Sequence, residues 1–214
     1  MNILVSHIVI PALTTLAMMI ARSQKQVRTI AATGMTIQLL QSLVLLFLFL
    51  QERAGGNEAV VLFSQSYSWY PSLGISFDIG VDGIAVAMIV LTSIVIFTGV
   101  FASWEVEKLY KEFFISLIVL ATGVYGFFVS LDLFVLFLFF ELAVIPMYLL
   151  IGIWGSGPKE YAAMKLTLML MGGSALLVVG ILGVYFTSDI EGVRTFNILT
   201  LGQHQIPIDM QRIF

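Results

Sequence analysis

The sequence predicts an all-α fold, a polytopic transmembrane bundle of about six helices, and two observations carry that expectation. Of its 214 residues, 59% are hydrophobic and 11% charged, whereas an ordinary globular domain is about 45–50% apolar and roughly 25% charged. A soluble fold of this size lacks the polar residues to cover such a core, while lipid, itself an apolar solvent, requires no cover. The apolar residues are also gathered into stretches long enough to cross a bilayer core about 30 Å thick at a rise of roughly 1.5 Å per residue.

Taken in order, the expected spans are 3–21, 29–50, 84–102, 113–131, 133–154 and 166–187. The first begins too close to Met1 to carry a basic leader, and no small-residue cleavage site follows it, so it reads as a helix and not as a signal peptide. Between spans two and three, residues 51–82 hold Gly55-Gly56, Pro71 and alternating residues around Ser64 to Tyr70, the pattern of a small extracytoplasmic hairpin. Trp69 and Tyr70 in that segment suit a membrane interface. Asp82 and Asp132 stand where they would cap spans three and five. The last segment, 188–214, mixes Asp189, Glu191, Arg194, His204 and Asp209 with apolar residues. It reads as an extracytoplasmic loop leading towards a seventh helix that lies beyond the sequence.

Basic residues set the expected orientation. Arg22, Lys25, Arg28, Lys108, Lys111, Lys159 and Lys165 fall beside the turns of one side, and Arg53, Arg194 and Arg212 on the other. Under the positive-inside rule the first group is cytoplasmic and the N-terminus periplasmic, in a bacterial plasma membrane. Cysteine is absent, which removes disulfides, thiolate metal sites and a cysteine nucleophile. The two histidines, His7 and His204, lie on different segments, against a haem held between them. A net charge of −3 gives no reason to expect a nucleic-acid partner.

Glu141 is the main candidate for chemistry. Counted from Asp132 it lies nine residues into span five, roughly 13 Å deep and near the bilayer midplane. An ionised carboxylate there is costly, so the group must take a partner or a proton, and a group that does either in turn is a proton carrier. The bland alternative is a protonated glutamic acid that only joins helices. Pro146 denies a donor to the carbonyl of Leu142, where a water could sit beside the carboxyl group, or it marks a simple kink. Tyr148, seven residues beyond Glu141 and on nearly the same face, is a candidate to bond to it through such a water. Lys165 enters the membrane by about 9 Å if its helix starts near Lys159. Its stem would then snorkel back to the interface, the preferred reading, or its ammonium would relay protons to Glu141. Gln38 and Gln41 share a face of span two and should bond across to a neighbour, and His7 reads as a satisfied polar residue near the end of span one. Gly172, Gly173, Gly180 and Gly183 form a small-residue stripe suited to close helix packing.

Several of these runs resemble a known family. Gly80-Val81-Asp82-Gly83-Ile84 ahead of a span is similar to the opening of the third helix of antiporter-like membrane subunits. Phe139-Phe140-Glu141, Ile145-Pro146-Met147-Tyr148 and Gly152-Ile153-Trp154-Gly155 resemble the fifth helix of subunit M, the chain 4 type, of NADH-quinone oxidoreductase, respiratory complex I. Tyr161-Ala162-Ala163-Met164-Lys165 resembles the entry to that family's sixth helix. The resemblance covers most of the chain from Asp78 onward. It implies the N-terminal portion of a larger antiporter-like fold built from inverted repeats. It also implies proton pumping driven by distant NADH:quinone chemistry, with Glu141 matching a glutamate that pairs with a lysine on a broken seventh helix. Flavin, iron–sulfur clusters and quinone would then belong to partner subunits, with none in this chain. The partners would be other membrane subunits of the complex, sister antiporter-like subunits above all, together with the lipid bilayer. A subunit of a multisubunit Na⁺/H⁺ antiporter or membrane-bound hydrogenase, and a non-pumping structural bundle, are the alternatives.

Overall fold

The computed structural model describes residues 2–187 and 194–203. The expectations placed on Asp189, Glu191, His204, Asp209 and Arg212 lie outside them. Six long helices follow one another: α1 Ile3–Ile20, α2 Gln24–Ala54, α3 Gly83–Ala102, α4 Tyr110–Val129, α5 Leu133–Trp154 and α6 Lys159–Thr187. All six are long and apolar enough to cross a membrane. A two-stranded antiparallel hairpin, β1 Leu62–Tyr70 and β2 Ile75–Val81, separates α2 from α3, and a five-residue helix, α7 Ile198–Gly202, comes last.

Two helices run past their apolar stretches. The Ser23 side chain accepts from the backbone N–H of Gln26 and the Gln26 side chain accepts from that of Ser23, so α2 starts in polar sequence five residues ahead of expectation. At 31 residues it is roughly 46 Å long, more than a bilayer core needs. α6 likewise begins at Lys159, among residues too polar to count towards a span. α4 stops at Val129, two residues early, because Ser130 and Leu131 turn to pair with the hairpin: the N–H of Leu131 donates to the carbonyl of Asp78 at 2.8 Å.

The two ends of the bundle differ in chemistry. At one end Lys111 Nζ donates to the carbonyls of Met19 (2.7 Å) and Ala21 (3.0 Å), closing the C-terminus of α1. Arg28 donates to the carbonyl of Val106 at 3.3 Å, and the Trp154 indole N–H to that of Lys108 at 2.7 Å. At the other end Asn2 Nδ2 donates to the carbonyl of Phe63 at 2.8 Å, tying the start of α1 to the hairpin. An isolated hairpin is marginal in water. Here β2 is the inner strand, with Ile79 and Val81 fully buried, and β1 is the exposed edge. Gly74 makes the turn at φ +66°, and a Cβ there would lie 2.1 Å from the carbonyl oxygen of Arg194, so this position needs glycine twice over.

Residues 194–203, expected from the sequence to be loop, are docked structure. Phe196 is buried and stacks on Tyr185 with ring centroids 4.2 Å apart. Its carbonyl accepts from the N–H of Leu133 at 2.9 Å, and the N–H of Ile198 donates to the carbonyl of Leu131 at 2.8 Å. Phe196 and Leu201 are the buried side chains that anchor this segment.

α4 is the most enclosed of the six long helices and α6 the least. Its glycines let α5 approach. A Cβ on Gly126 would lie 2.1 Å from a ring carbon of Phe139, and one on Gly123 2.9 Å from the carbonyl oxygen of the same residue. The expected stripe on α6 does not serve this way within the described chain, since a Cβ on Gly172, Gly173 or Gly180 meets nothing within 4 Å. Close helix approach in lipid depends on small residues at the contact itself. Gly126→Val should therefore destabilise the bundle by about 1–3 kcal/mol through overpacking. Gly99→Ala on α3, where a Cβ meets nothing, should be neutral or slightly stabilising. Unfolding titrations in mixed detergent micelles would read the difference.

Candidate functional site

The start of α5 is held by one carboxylate. Asp132 is fully buried, and its Oδ1 accepts from the N–H groups of Phe134 (2.9 Å) and Val135 (3.0 Å), capping the helix. Its Oδ2 accepts from the N–H of Ser76 in β2 at 3.2 Å. A second acid, Asp78, lies close by and takes hydrogen bonds from Ser66 Oγ and Asn197 Nδ2. Hairpin, α5 and the docked segment thus share one polar node. Burial pushes the Asp132 carboxyl above its ordinary value of 3.8, and the negative charge of Asp78 adds to this against the pull of the three N–H donors.

From that cap, Glu141 lies nine residues into α5, roughly 13 Å along its axis. The residue as a whole is half-buried. Its Oε1, however, is sealed from the surface and has no hydrogen-bond partner among the described residues. The reason is its place on the helix. Val144, one turn on, is buried, while Leu138, Leu142 and Ile145 form an exposed apolar face. Glu141 stands on the border between the two. Beside it an apolar groove of about 650 Å³ runs between α5 and the hairpin, lined by Trp69, Phe77, Val135, Leu138 and Leu142 among others. Pro146 is buried inside the helix, so the carbonyl of Leu142 has no i+4 donor.

The other two candidates are not brought to Glu141. Tyr148 lies on the same side of α5, since seven residues return to within about 20° of the starting direction, but two turns separate them by roughly 10 Å. It is exposed on the helix surface. Lys165 is exposed, and its ammonium leans over the Tyr161 ring at 5.9 Å from the centroid, one turn back towards the start of α6. That is snorkelling geometry. Gly152 faces Ala163 where the antiparallel α5 and α6 meet, which puts Lys165 level with Leu150, about 13 Å along the axis from Glu141.

A second polar group emerges among α1, α2, α3 and α4. Gln38 and Gln41 reach across to α1: Gln38 Nε2 donates to the carbonyl of His7 at 3.3 Å, and Gln41 Nε2 donates to that of Ile3 at 3.0 Å and lies 3.0 Å from His7 Nδ1. Tyr125 of α4 is hydrogen-bonded to Ser93 of α3 at 2.9 Å, and its ring lies edge-on to that of His7 with centroids 6.1 Å apart. His7 meets partners through Nδ1, while its Nε2 is buried with no partner among the described residues. The glutamine pair was readable in the sequence as a bridge. Tyr125 and Ser93 were not, for nothing local to α3 or α4 says which neighbour they meet.

Known proteins share this fold. The family model for the NADH:quinone oxidoreductase/Mrp antiporter membrane region matches residues 130–211. A NAD(P)H-quinone oxidoreductase chain 4 from Picosynechococcus sp. is 30% identical over 208 residues, covering 97% of this chain and 37% of that protein. NADH-quinone oxidoreductase subunit M of Rhodobacter capsulatus is 34% identical over 178 residues, covering 82% of this chain and 33% of that one. A chain of respiratory complex I from Thermus thermophilus, solved with bound NADH, matches in fold with a TM-score of 0.78 and 21% identity, over 98% of this chain and 40% of that one. The chain therefore spans between a third and two fifths of the length of these three relatives.

The acid at the head of α5 makes a checkable prediction. Because burial raises the Asp132 value, the folded chain still holds its proton at a pH where the unfolded chain, at 3.8, has released it. Stability should then fall as pH rises from 3.8 through the raised value. Asp132→Asn keeps an N-cap and should flatten that decline, whereas Asp132→Ala loses the cap and should cost about 1 kcal/mol. Unfolding midpoints measured across this pH range would distinguish the two.

Proposed function

The chain belongs to the family of antiporter-like membrane subunits shared by NADH:quinone oxidoreductase and Mrp antiporters, and on that premise we propose that it forms part of a proton-translocating subunit of the subunit M type. It is a multi-pass membrane protein. The observation that carries the proposal is the sealed, unpartnered Oε1 of Glu141 in the middle of α5. A carboxylate oxygen in that position is costly unless a proton or a cation comes to it. The group therefore responds to any charge brought near it.

The mechanism is electrostatic. A charge change in a neighbouring subunit alters the balance between the protonated and ionised forms of Glu141, which loads or releases a proton through water-lined half-paths. The carbonyl of Leu142, freed by Pro146, is an acceptor for water beside it. The open face of α5 at Leu138, Leu142 and Ile145 leaves room for a further helix to bring a lysine partner. Electrons move elsewhere, with flavin, iron–sulfur clusters and quinone in partner subunits, and sister antiporter-like subunits are the nearest neighbours. The basic end of the bundle, with Arg22, Lys25, Arg28, Lys108, Lys111, Lys159 and Lys165, faces the cytoplasm of a bacterial plasma membrane, and the hairpin and N-terminus face the periplasm.

The family's antiporter side supports a second reading, a cation/proton exchanger without redox partners. Purifying the assembly and assaying for flavin and iron–sulfur subunits separates the two. For the favoured reading, Glu141→Gln in the assembled complex should slow proton transfer by roughly 100-fold or more, the low end of what a positioned acid–base group supplies. Proton uptake and quinone reduction are measured together in reconstituted vesicles. An unchanged proton-to-electron ratio in that variant would sink the proposal.

A further inference from the structure

The four-helix cluster around His7 is electrically neutral, buried and short of partners. His7 and Ser42 are fully enclosed, Gln38 is 1% exposed and Ser93 2%. Three polar atoms in it, His7 Nε2, Gln38 Oε1 and Gln41 Oε1, are sealed from the surface without a hydrogen bond. Leaving one such atom unmet costs about 1–3 kcal/mol, and a bundle in lipid has no bulk solvent to meet it.

Rearranging protons or amides does not remove the shortage. If His7 Nδ1 donates to the carbonyl of Ile3, 2.9 Å away, then Nε2 is a bare acceptor. If Nδ1 instead accepts from Gln41, Nε2 carries a hydrogen with nowhere to donate. Turning the Gln41 amide over exchanges an unmet oxygen for an unmet nitrogen and sets its oxygen against the carbonyl of Ile3. With a bare Nε2 the missing group has three acceptors to donate to, and with Nε2–H it must both accept and donate, and water can do either. A cation meets only the acceptors, and none of His7, Gln38, Gln41, Ser93 or Tyr125 carries a negative charge to balance it.

We propose that this cluster is a water site. Bound water bridges His7 Nε2 to the Gln38 and Gln41 side chains and completes a hydrogen-bonded link between α1 and α2, beside the Tyr125–Ser93 pair of α4 and α3. Buried water that joins otherwise unmatched polar groups is a regular structural part of proteins. This site stands apart from Glu141, and its existence does not depend on what Glu141 does.

Hydroxyl-radical footprinting of the assembled complex in intact membranes tests it, because radicals generated from bound water mark the side chains beside that water. Rates for His7 and Tyr125 are normalised to the same residues in the denatured chain and set against Phe114, an aromatic residue of α4 that is equally enclosed. Both should be marked several-fold faster than Phe114. Gln38→Leu should reduce marking of Tyr125 several-fold while the exposed Trp104 is unaffected. Marking of His7 and Tyr125 no faster than Phe114 in the unaltered protein overturns the proposal without recourse to any variant. So does a loss of marking when Na⁺ or K⁺ is added, which would place an ion in the cluster.

Discussion

A bilayer core offers nothing to a hydrogen-bonding group, so each polar atom along these six spans must be met from inside the protein. That constraint explains the helices themselves, whose backbones satisfy their own donors and acceptors. It also explains where irregular backbone is allowed. The hairpin, the 130–132 turn and residues 194–203 all gather at one end of the bundle, where Asp78, Asp132 and Asn197 supply the missing partners. Side chains that fall inside the spans are held to the same terms, which is why the few polar ones carry so much of the meaning.

Those interior polar groups divide into two kinds. Around His7 most demands are met between helices, by Gln38, Gln41, Ser93 and Tyr125, and the remainder has the chemistry of water. Glu141 has no such circle, and it stands on the edge of an apolar face that the described residues leave open. One arrangement ties helices together without a charge. The other keeps an ionisable group available. Between them lies α4, whose Tyr125 turns to the first four helices while Gly123 and Gly126 admit α5.

Asp132 connects the outer architecture to that interior. The same carboxylate that caps α5 holds the backbone of β2, and the docked segment at residues 196–198 hydrogen-bonds to the chain on either side of it. Asp132 thus sets where α5 begins, and the position of Glu141 along the helix is counted from that cap.

The sequence alone determined the class of fold, the number and order of the spans, the caps Asp82 and Asp132, and the choice of Glu141 as the one acid in mid-span. These were legible because partition into lipid and helix capping depend on the composition of a single segment. What tertiary structure decided is everything that depends on pairs of segments. It placed the close approach at Gly123 and Gly126, parted Lys165 from Glu141, docked residues 194–203, and brought the rings of His7 and Tyr125 together. Each of those is a question of which helix is whose neighbour, and in lipid nearly any apolar face is an acceptable neighbour to any other. Only the shape of small residues and the matching of a few polar atoms select among them, and neither can be read from one helix at a time.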